Sequence, residues 1–421
     1  MTSPVWHPFT QHGLHEPIPQ VVSARGAWLE CADGTQLLDA ISSWWVITHG
    51  HCEPRIAAAI AAQAGVLDQV IFAGYTHPAA EAVARGLVEV APAGLAHVFF
   101  SDSGSTAVEV ALKMALGYWH NRRESRHRIL VMEHSYHGDT IGAMSVGERG
   151  VFNRAYAPLL FDVATVPFPA AGAEQRTLDA LEALCRAPET PAAFIVEPLV
   201  LGAGGMLVYP PAVLRAMREI CVRHSVLFIA DEVMTGWGRT GTLFACEQAG
   251  IAPDLMCLAK GLTGGMVPLA ATLASAAIFE AHSSRDRADM FFHSSSFTAN
   301  AVGCAAAQAN LAIWQGEDVP GRVAVLGVAL DAGLARLADE ATFTNPRRLG
   351  GVAAIDLSVP DAGYLSDVAP RLRAYFLAQG LLLRPLGNTI YMMPPYCTAP
   401  DEIARAFEVI AAAPEAIAAP Q

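Results

Sequence analysis

Hydrophobic positions fall into three regimes along the chain. Residues 1–48 are irregular and then strand-like, with 26–30 and 36–39 flanking Asp33-Gly34, a two-residue hairpin signal. From 54 to 90 the alanine-rich text is helical, with a break at Ile71-Phe72-Ala73-Gly74. Short apolar runs then alternate with helical stretches: 98–100, a helix from Thr106 to about Trp119, 129–132, 193–196, a helix over 211–224, and 226–230. Runs such as Val226-Leu227-Phe228-Ile229-Ala230 are continuously apolar, which predicts parallel strands covered on both faces. Strand–helix–strand order predicts an α/β domain. Beyond Leu311 a long helical segment precedes short strands near 353–357 and 390–393 and helices near 366–379 and 400–413, the pattern of a smaller α+β unit. The expected division is a segment 1–48 packing with the small domain, a large domain 49–310 and a small domain 311–421.

Composition narrows this picture. A chain of 421 residues suits one large domain plus a smaller one, and 53% apolar against 16% charged residues supplies a large core. The net charge of −13 and the lack of any Lys/Arg run argue against nucleic acid or an anionic membrane as partner. No window approaches the ~18 apolar residues of a membrane span. No lysine or arginine precedes Arg25, so the N-terminus does not read as a signal peptide. Eight cysteines without a C-x-x-C pair read as buried, reduced thiols of a cytoplasmic protein.

The chemistry sits where strands end, the place where open α/β sheets gather ligands. Asp231 closes a five-residue apolar run, and a carboxylate there is costly unless paired. It could keep a pyridine nitrogen protonated; a helix cap or a metal ligand is the plainer alternative. Lys260 follows the run 255–258 and sits among apolar and glycine residues, with Lys113 the only other lysine in the chain. A desolvated lysine has a lowered pKa and can form a Schiff base, whereas a snorkelling lysine would be structural. Ser101-Asp102-Ser103-Gly104-Ser105-Thr106 leaves a strand and opens a helix, so its amides could take a phosphate, although an ordinary capped helix reads the same. Thr106 to Glu109 has the capping-box pattern. Tyr136, just past 129–132, could stack on a flat heterocycle or simply occupy a turn. Trp44-Trp45 could wall a pocket for an alkyl chain or pack the core. His49-Gly50-His51-Cys52-Glu53 lacks a partner cluster, and no metal is expected.

Several motifs in order resemble one family. IADEVMTGWGRTG and AKGLTGG within 229–265, DSGSTAVEVALKMA (102–115), YHGDTIGAMS (136–145), IVEPLVLGAGGM (195–206) and FTAN (297–300) are similar to the class III, fold-type I pyridoxal-phosphate aminotransferases. The resemblance implies an α/β fold with a large, mostly parallel sheet domain and a smaller α+β domain, and pyridoxal 5'-phosphate as cofactor. It implies that Lys260 carries the covalent link and shuttles the proton, that Asp231 pairs with the pyridine nitrogen, that Tyr136 stacks on the ring, and that Gly104 and Ser105 bind the phosphate. WHPFTQ (6–11), SSWW (42–45) and RPLGNTIYMMPPY (384–396) resemble the branch of biotin synthesis that aminates 8-amino-7-oxononanoate, normally from S-adenosylmethionine, in a two-stage exchange. For that branch Trp44, Trp45 and Tyr136 would line the substrate pocket, Arg384 would hold the carboxylate, and Arg239 and Asp139 would lie near the donor. Members are homodimers, so residues 293–296 would reach the partner's phosphate, with Ser295 and Ser296 on the cofactor and Ser294 on the substrate. Those three serines stand where the family often has Gly-Pro-Thr, and Phe9 stands where it has a tyrosine. An ω-amino acid:pyruvate enzyme, a lysine-using variant and a catalytically silent relative are the rival expectations.

Overall fold

The computed structural model describes residues 3–360 and 363–418. Strands β1 (Val21–Arg25), β2 (Trp28–Cys31) and β3 (Gln36–Asp39) form an antiparallel meander, with Asp33-Gly34 in the β2–β3 turn. The helices Pro54–Ala64 and Pro78–Val90 follow, separated around the 71–74 break. The large domain then adds β4 (Leu95–Ser101), β5 (Ile129–Met132), β6 (Ala164–Val166), β7 (Ala193–Val196), a hairpin of β8 (Val200–Leu201) and β9 (Leu207–Val208), β10 (Leu227–Asp231), β11 (Leu255–Leu258) and β12 (Ala270–Ser275). Seven of these make one sheet in the order β4-β12-β11-β10-β7-β5-β6. Every pairing is parallel except those of β12, which runs against both neighbours.

The central strands are apolar throughout because both faces are covered: every residue of β5, β7, β10 and β11 is buried. One face packs against the helix Gly104–Asn121, whose Val108, Ala111 and Ala115 are fully buried with Ile129, Ile195 and Ile229. The other belongs to the main core, where Phe194 and Phe228 meet edge to face.

The chain then passes through the helices Ala301–Gly316 and Val319–Ala338 to β13 (Phe343–Leu349), β14 (Val352–Leu357), β15 (Leu381–Leu382) and β16 (Thr389–Met392), with the helices Val368–Ala378 and Pro400–Ala418 around them. β13, β14 and β16 form their own antiparallel sheet. β15 instead pairs in parallel with β3. The N-terminal meander therefore shares a sheet with the C-terminal portion of the chain.

Two sequence expectations need correction. The helix expected from Thr106 opens earlier, at Gly104: its cap is Ser103, and Ser103 and Thr106 form the capping box. Glu109 is released from capping and instead accepts from Thr140 Oγ1 at 2.6 Å and Gly142 N at 2.8 Å. The thiols are all free, but Cys52 and Cys397 are exposed rather than buried. Among the described residues no helix is long and apolar enough to cross a membrane.

Candidate active site

A cavity of about 460 Å³ opens over the carboxyl ends of the sheet strands. Asp231 is the last residue of β10, Glu197 follows β7, Asp102 follows β4, and Lys260 lies two residues past β11. All four line the cavity, as do Gly104, Ser105, Tyr136 and His137. Residues distant in sequence converge because parallel strands present their C-terminal ends at one edge.

Asp231 is 4% exposed, and its cost is met by partners. Its Oδ2 lies 2.7 Å from His137 Nδ1, and its Oδ1 accepts from Val233 N at 3.1 Å. His137 Nε2 is buried and has no partner among the described residues. Glu197, also buried, accepts from Tyr136 N and Gly202 N, both at 3.0 Å. Burial, offset by His137 and reinforced by Asp231, pushes the Glu197 carboxyl up to about 7.

Lys260 has a positive φ of 45°, which turns it off the strand end. Its amine makes no hydrogen bond among the described residues and stands 5.1 Å from the Trp45 ring centroid. Burial lowers its pKa, against the opposing pull of Asp231 and Glu197. The loop after it packs at Gly265 on the backbone that follows the tryptophans, where a Cβ would lie 2.5 Å from Val46 O. Only glycine permits that approach at a φ of +89°.

The phosphate-like end is the N-terminus of Gly104–Asn121. First-turn amides have no carbonyl in a preceding turn, so Gly104 and Ser105 are available to an anion. Gly138 closes over them: at φ +124° its missing Cβ would fall 2.1 Å from Ser105 Oγ.

The opposite end is aromatic. Asp39 ends β3 and is fully buried; its carboxylate takes Ser43 N at 2.8 and 2.7 Å and pairs with His51 Nε2 at 2.7 Å. This pins a turn in which Ser42, Ser43 and Trp45 all have positive φ. Trp45 is thereby buried, its Nε1 donating to Tyr391 at 3.0 Å, while Trp44 stays 43% exposed at the mouth. The Arg384 guanidinium sits 5.3 Å from the Trp44 centroid and donates to Phe9 O at 3.0 Å. Phe9, Phe152 and Tyr364 complete this wall.

The structure thus brings together Lys260, Asp231, Tyr136, Gly104, Ser105, Trp44, Trp45 and Arg384. Other expected residues stand apart. Arg239, expected near the donor, is 1% exposed and does not line the cavity. Its guanidinium is consumed by three carbonyls, those of Ile47 at 2.8 Å, Trp45 at 3.2 Å and Pro394 at 3.3 Å. Asp139 is exposed outside the cavity; its amide donates to Ser105 Oγ at 3.2 Å, and its charge helps raise the Tyr136 phenol pKa, after burial. Ser294, Ser295 and Ser296 do not line this chain's cavity. His49 and His51 bond to Asn310 and Asp39. The sequence assigns no site role to His137 or Glu197, although one adjoins Tyr136 and the other ends an apolar run as Asp231 does. Phe152 and Tyr364 had no such signal, because irregular segments deliver them.

These residues fit pyridoxal phosphate on their own chemistry. The cavity offers an unpaired amine, a buried carboxylate with lone pairs to spare, an orphaned imidazole nitrogen and an open helix N-terminus.

Comparison with known proteins agrees. Residues 10–413 match the family described as aminotransferase class-III. The chain is 48% identical over 415 residues to the adenosylmethionine-8-amino-7-oxononanoate aminotransferase of Synechococcus elongatus, covering 97% of each. Among solved structures it superposes on the same-named enzyme of Methanocaldococcus jannaschii with a TM-score of 0.93, at 31% identity, over 98% of this chain and 97% of that one. An amine transaminase from an uncultivated Pseudomonas species, solved in its pyridoxal-phosphate-bound form, also gives a TM-score of 0.93, at 32% identity over 98% of both chains. The chain belongs to the class-III aminotransferases, which have the fold-type I architecture and depend on pyridoxal phosphate.

Proposed function

We propose that this aminotransferase moves the amino group of S-adenosylmethionine to 8-amino-7-oxononanoate, a step of biotin synthesis. The observation that carries the reading is the two-ended cavity: Lys260 and Asp231 at the enclosed end, Trp44 and Arg384 at the mouth. The Synechococcus and Methanocaldococcus relatives, named for these two substrates, support the same reading.

Bound pyridoxal phosphate supplies an electron sink and a carrier for the amino group. The first-turn amides of Gly104 and Ser105 would hold its phosphate, Tyr136 would cover its ring, and Asp231, oriented by His137, would face its ring nitrogen. Lys260 Nζ would hold it covalently and, once displaced by the donor amine, take the proton from the donor's α-carbon. Burial favours the neutral amine this requires. In the second stage Lys260 Nζ returns a proton to the acceptor. Arg384 would grip the acceptor's carboxylate with its planar fork, and Trp44 and Trp45 would bury the alkyl chain. A homodimer fits the exposed Met290, Phe292 and Phe297 beside Ser294, Ser295 and Ser296, and the eight free thiols suit the cytoplasm.

The deciding experiment supplies the keto acid with S-adenosylmethionine, lysine or an ω-amine, and separately offers pyruvate as acceptor. Diaminononanoate formed from S-adenosylmethionine alone is expected. Turnover with lysine, or with pyruvate but not the keto acid, would overturn the reading.

A further inference from the structure

We propose that Asn310 is a positioning residue for Lys260, gripping the turn that aims its amine into the cavity; this rests on the role given to Lys260 above. Lys260 opens a single 3-10 turn, Lys260–Thr263, with no side-chain cap at its start. So short a turn has few bonds of its own: Leu262 N donates to Ala259 O and Gly264 N to Gly261 O, both at 2.9 Å. At its head Lys260 has a φ of 45°, which a residue with a side chain keeps only where its surroundings fix it. The direction of the Lys260 amine therefore depends on what grips the turn from outside.

Asn310 supplies that grip. It projects from the helix Ala301–Gly316, which packs against the turn and against the helix Pro54–Ala64, and it is fully buried. Its Nδ2 donates to Gly261 O at 3.0 Å and to Leu262 O at 3.1 Å. Among the described residues no other side chain bonds to the backbone of the turn. Both carbonyls can only accept, so the amide nitrogen faces the turn and Oδ1 faces away from it. Oδ1 lies 2.8 Å from His49 Nε2, which therefore carries the hydrogen and donates. Burial lowers the pKa of this imidazole to about 4, so it is neutral, and its Nδ1 has no partner among the described residues. His49 thus locks the amide in the orientation that serves the turn. Neither Asn310 nor His49 lines the cavity, so both act through the backbone next to Lys260.

The test has one readout without the cofactor and one with it. In the full-length chain stripped of cofactor, acetic anhydride labels neutral amines, and Lys113, the other lysine, is the internal reference. Asn310→Leu keeps the volume and removes the amide. The Lys260 amine should then meet more water, and its labelling midpoint should rise by about one pH unit while that of Lys113 stays in place. The charges that bear on Lys260, those of Asp231, Glu197 and Arg239, are unaltered in this variant. In the loaded enzyme kcat should fall about tenfold, short of the roughly hundredfold of a full 1 Å misplacement, with KM for the keto acid within about twofold of wild type. His49→Leu leaves Oδ1 unbonded and should lower kcat about threefold; His49→Gln, whose amide nitrogen can stand where Nε2 stood, should recover most of it. The His49 pair decides the matter if Asn310→Leu does not fold. An unmoved Lys260 midpoint, a shift shared by Lys113, a KM that rises as kcat falls, or no recovery in His49→Gln would overturn the proposal. Turnover retained by Lys260→Ala overturns the role given to Lys260 and this proposal with it. An inactive Lys260→Ala beside an unaffected Asn310→Leu overturns the proposal alone.

Discussion

The two ends of the cavity are built differently. At the enclosed end Asp231, His137 and Glu197 are each no more than 5% exposed and are joined by short bonds to one another or to backbone amides. At the mouth Trp44 and Phe9 are 43% and 45% exposed. Arg384 reaches them from the far end of the chain with one hydrogen bond and one ring contact. The enclosed end is preorganised before anything binds, as transition-state stabilisation requires. The mouth is looser, so recognition of the acceptor is where ligand contacts can still add order. Substitutions at the enclosed end should therefore change the rate, and those at the mouth should change KM.

The largest effect is expected at Lys260. Lys260→Ala should lower kcat by about ten-thousandfold, the upper range for a proton-transfer group. It should also abolish trapping of the cofactor by borohydride. A variant that still traps cofactor would remove Lys260 from both roles. Next comes the mouth: Arg384→Ala should raise KM for the keto acid about thirtyfold, the scale of a lost charge-assisted pair, and change kcat far less. A fall in kcat at constant KM would erase the contrast between the two ends.

The same contrast explains what could be read in the sequence. Continuous apolar runs announce parallel strands, and a polar residue ending such a run has only the ligand edge to occupy; Asp231, Asp102 and Lys260 follow from that rule. Glu197 obeys it too. The direction of β12, antiparallel on both sides, leaves no mark in an apolar run. The mouth offers no such rule. Phe9, Phe152 and Tyr364 come from segments without periodicity, and the Ser42–Trp45 turn depends on positive φ at residues other than glycine. Arg239 shows the converse: a motif position can belong to the frame, here tying the 45–47 segment to Pro394.

A smaller effect, seen in stability, should distinguish the enclosed end by pH. The Glu197 carboxyl is pushed up to about 7, so the folded chain binds that proton more tightly than the unfolded one. Its contribution to stability is complete below the usual glutamate range and is lost as pH rises through about 7. Glu197→Gln has no such titration. Its Tm, relative to wild type, should rise between pH 5 and pH 8 by about a degree, the shift for about 1 kcal/mol in a chain of this length. A constant difference across that range would mean Glu197 ionises like an ordinary carboxyl.

The smallest effect tests whether the contrast is complete. Asp39 ends β3 as Asp231 ends β10, and it too is buried and bonded to a histidine. It touches neither end of the cavity directly; its work is to hold Ser43 N and so the turn that presents Trp44 outward and Trp45 inward. Asparagine keeps one acceptor oxygen but cannot take Ser43 N on two oxygens while also meeting His51. Asp39→Asn should raise KM for the keto acid about threefold with kcat nearly unchanged, and lower Tm, because one buried bond is lost without removing a binding group. If kcat falls instead, the tryptophan turn controls Lys260 through the 5.1 Å contact with Trp45, and the two ends are mechanically one. If only KM moves, the looser end also hangs from an aspartate at a strand terminus, but that aspartate serves recognition rather than chemistry.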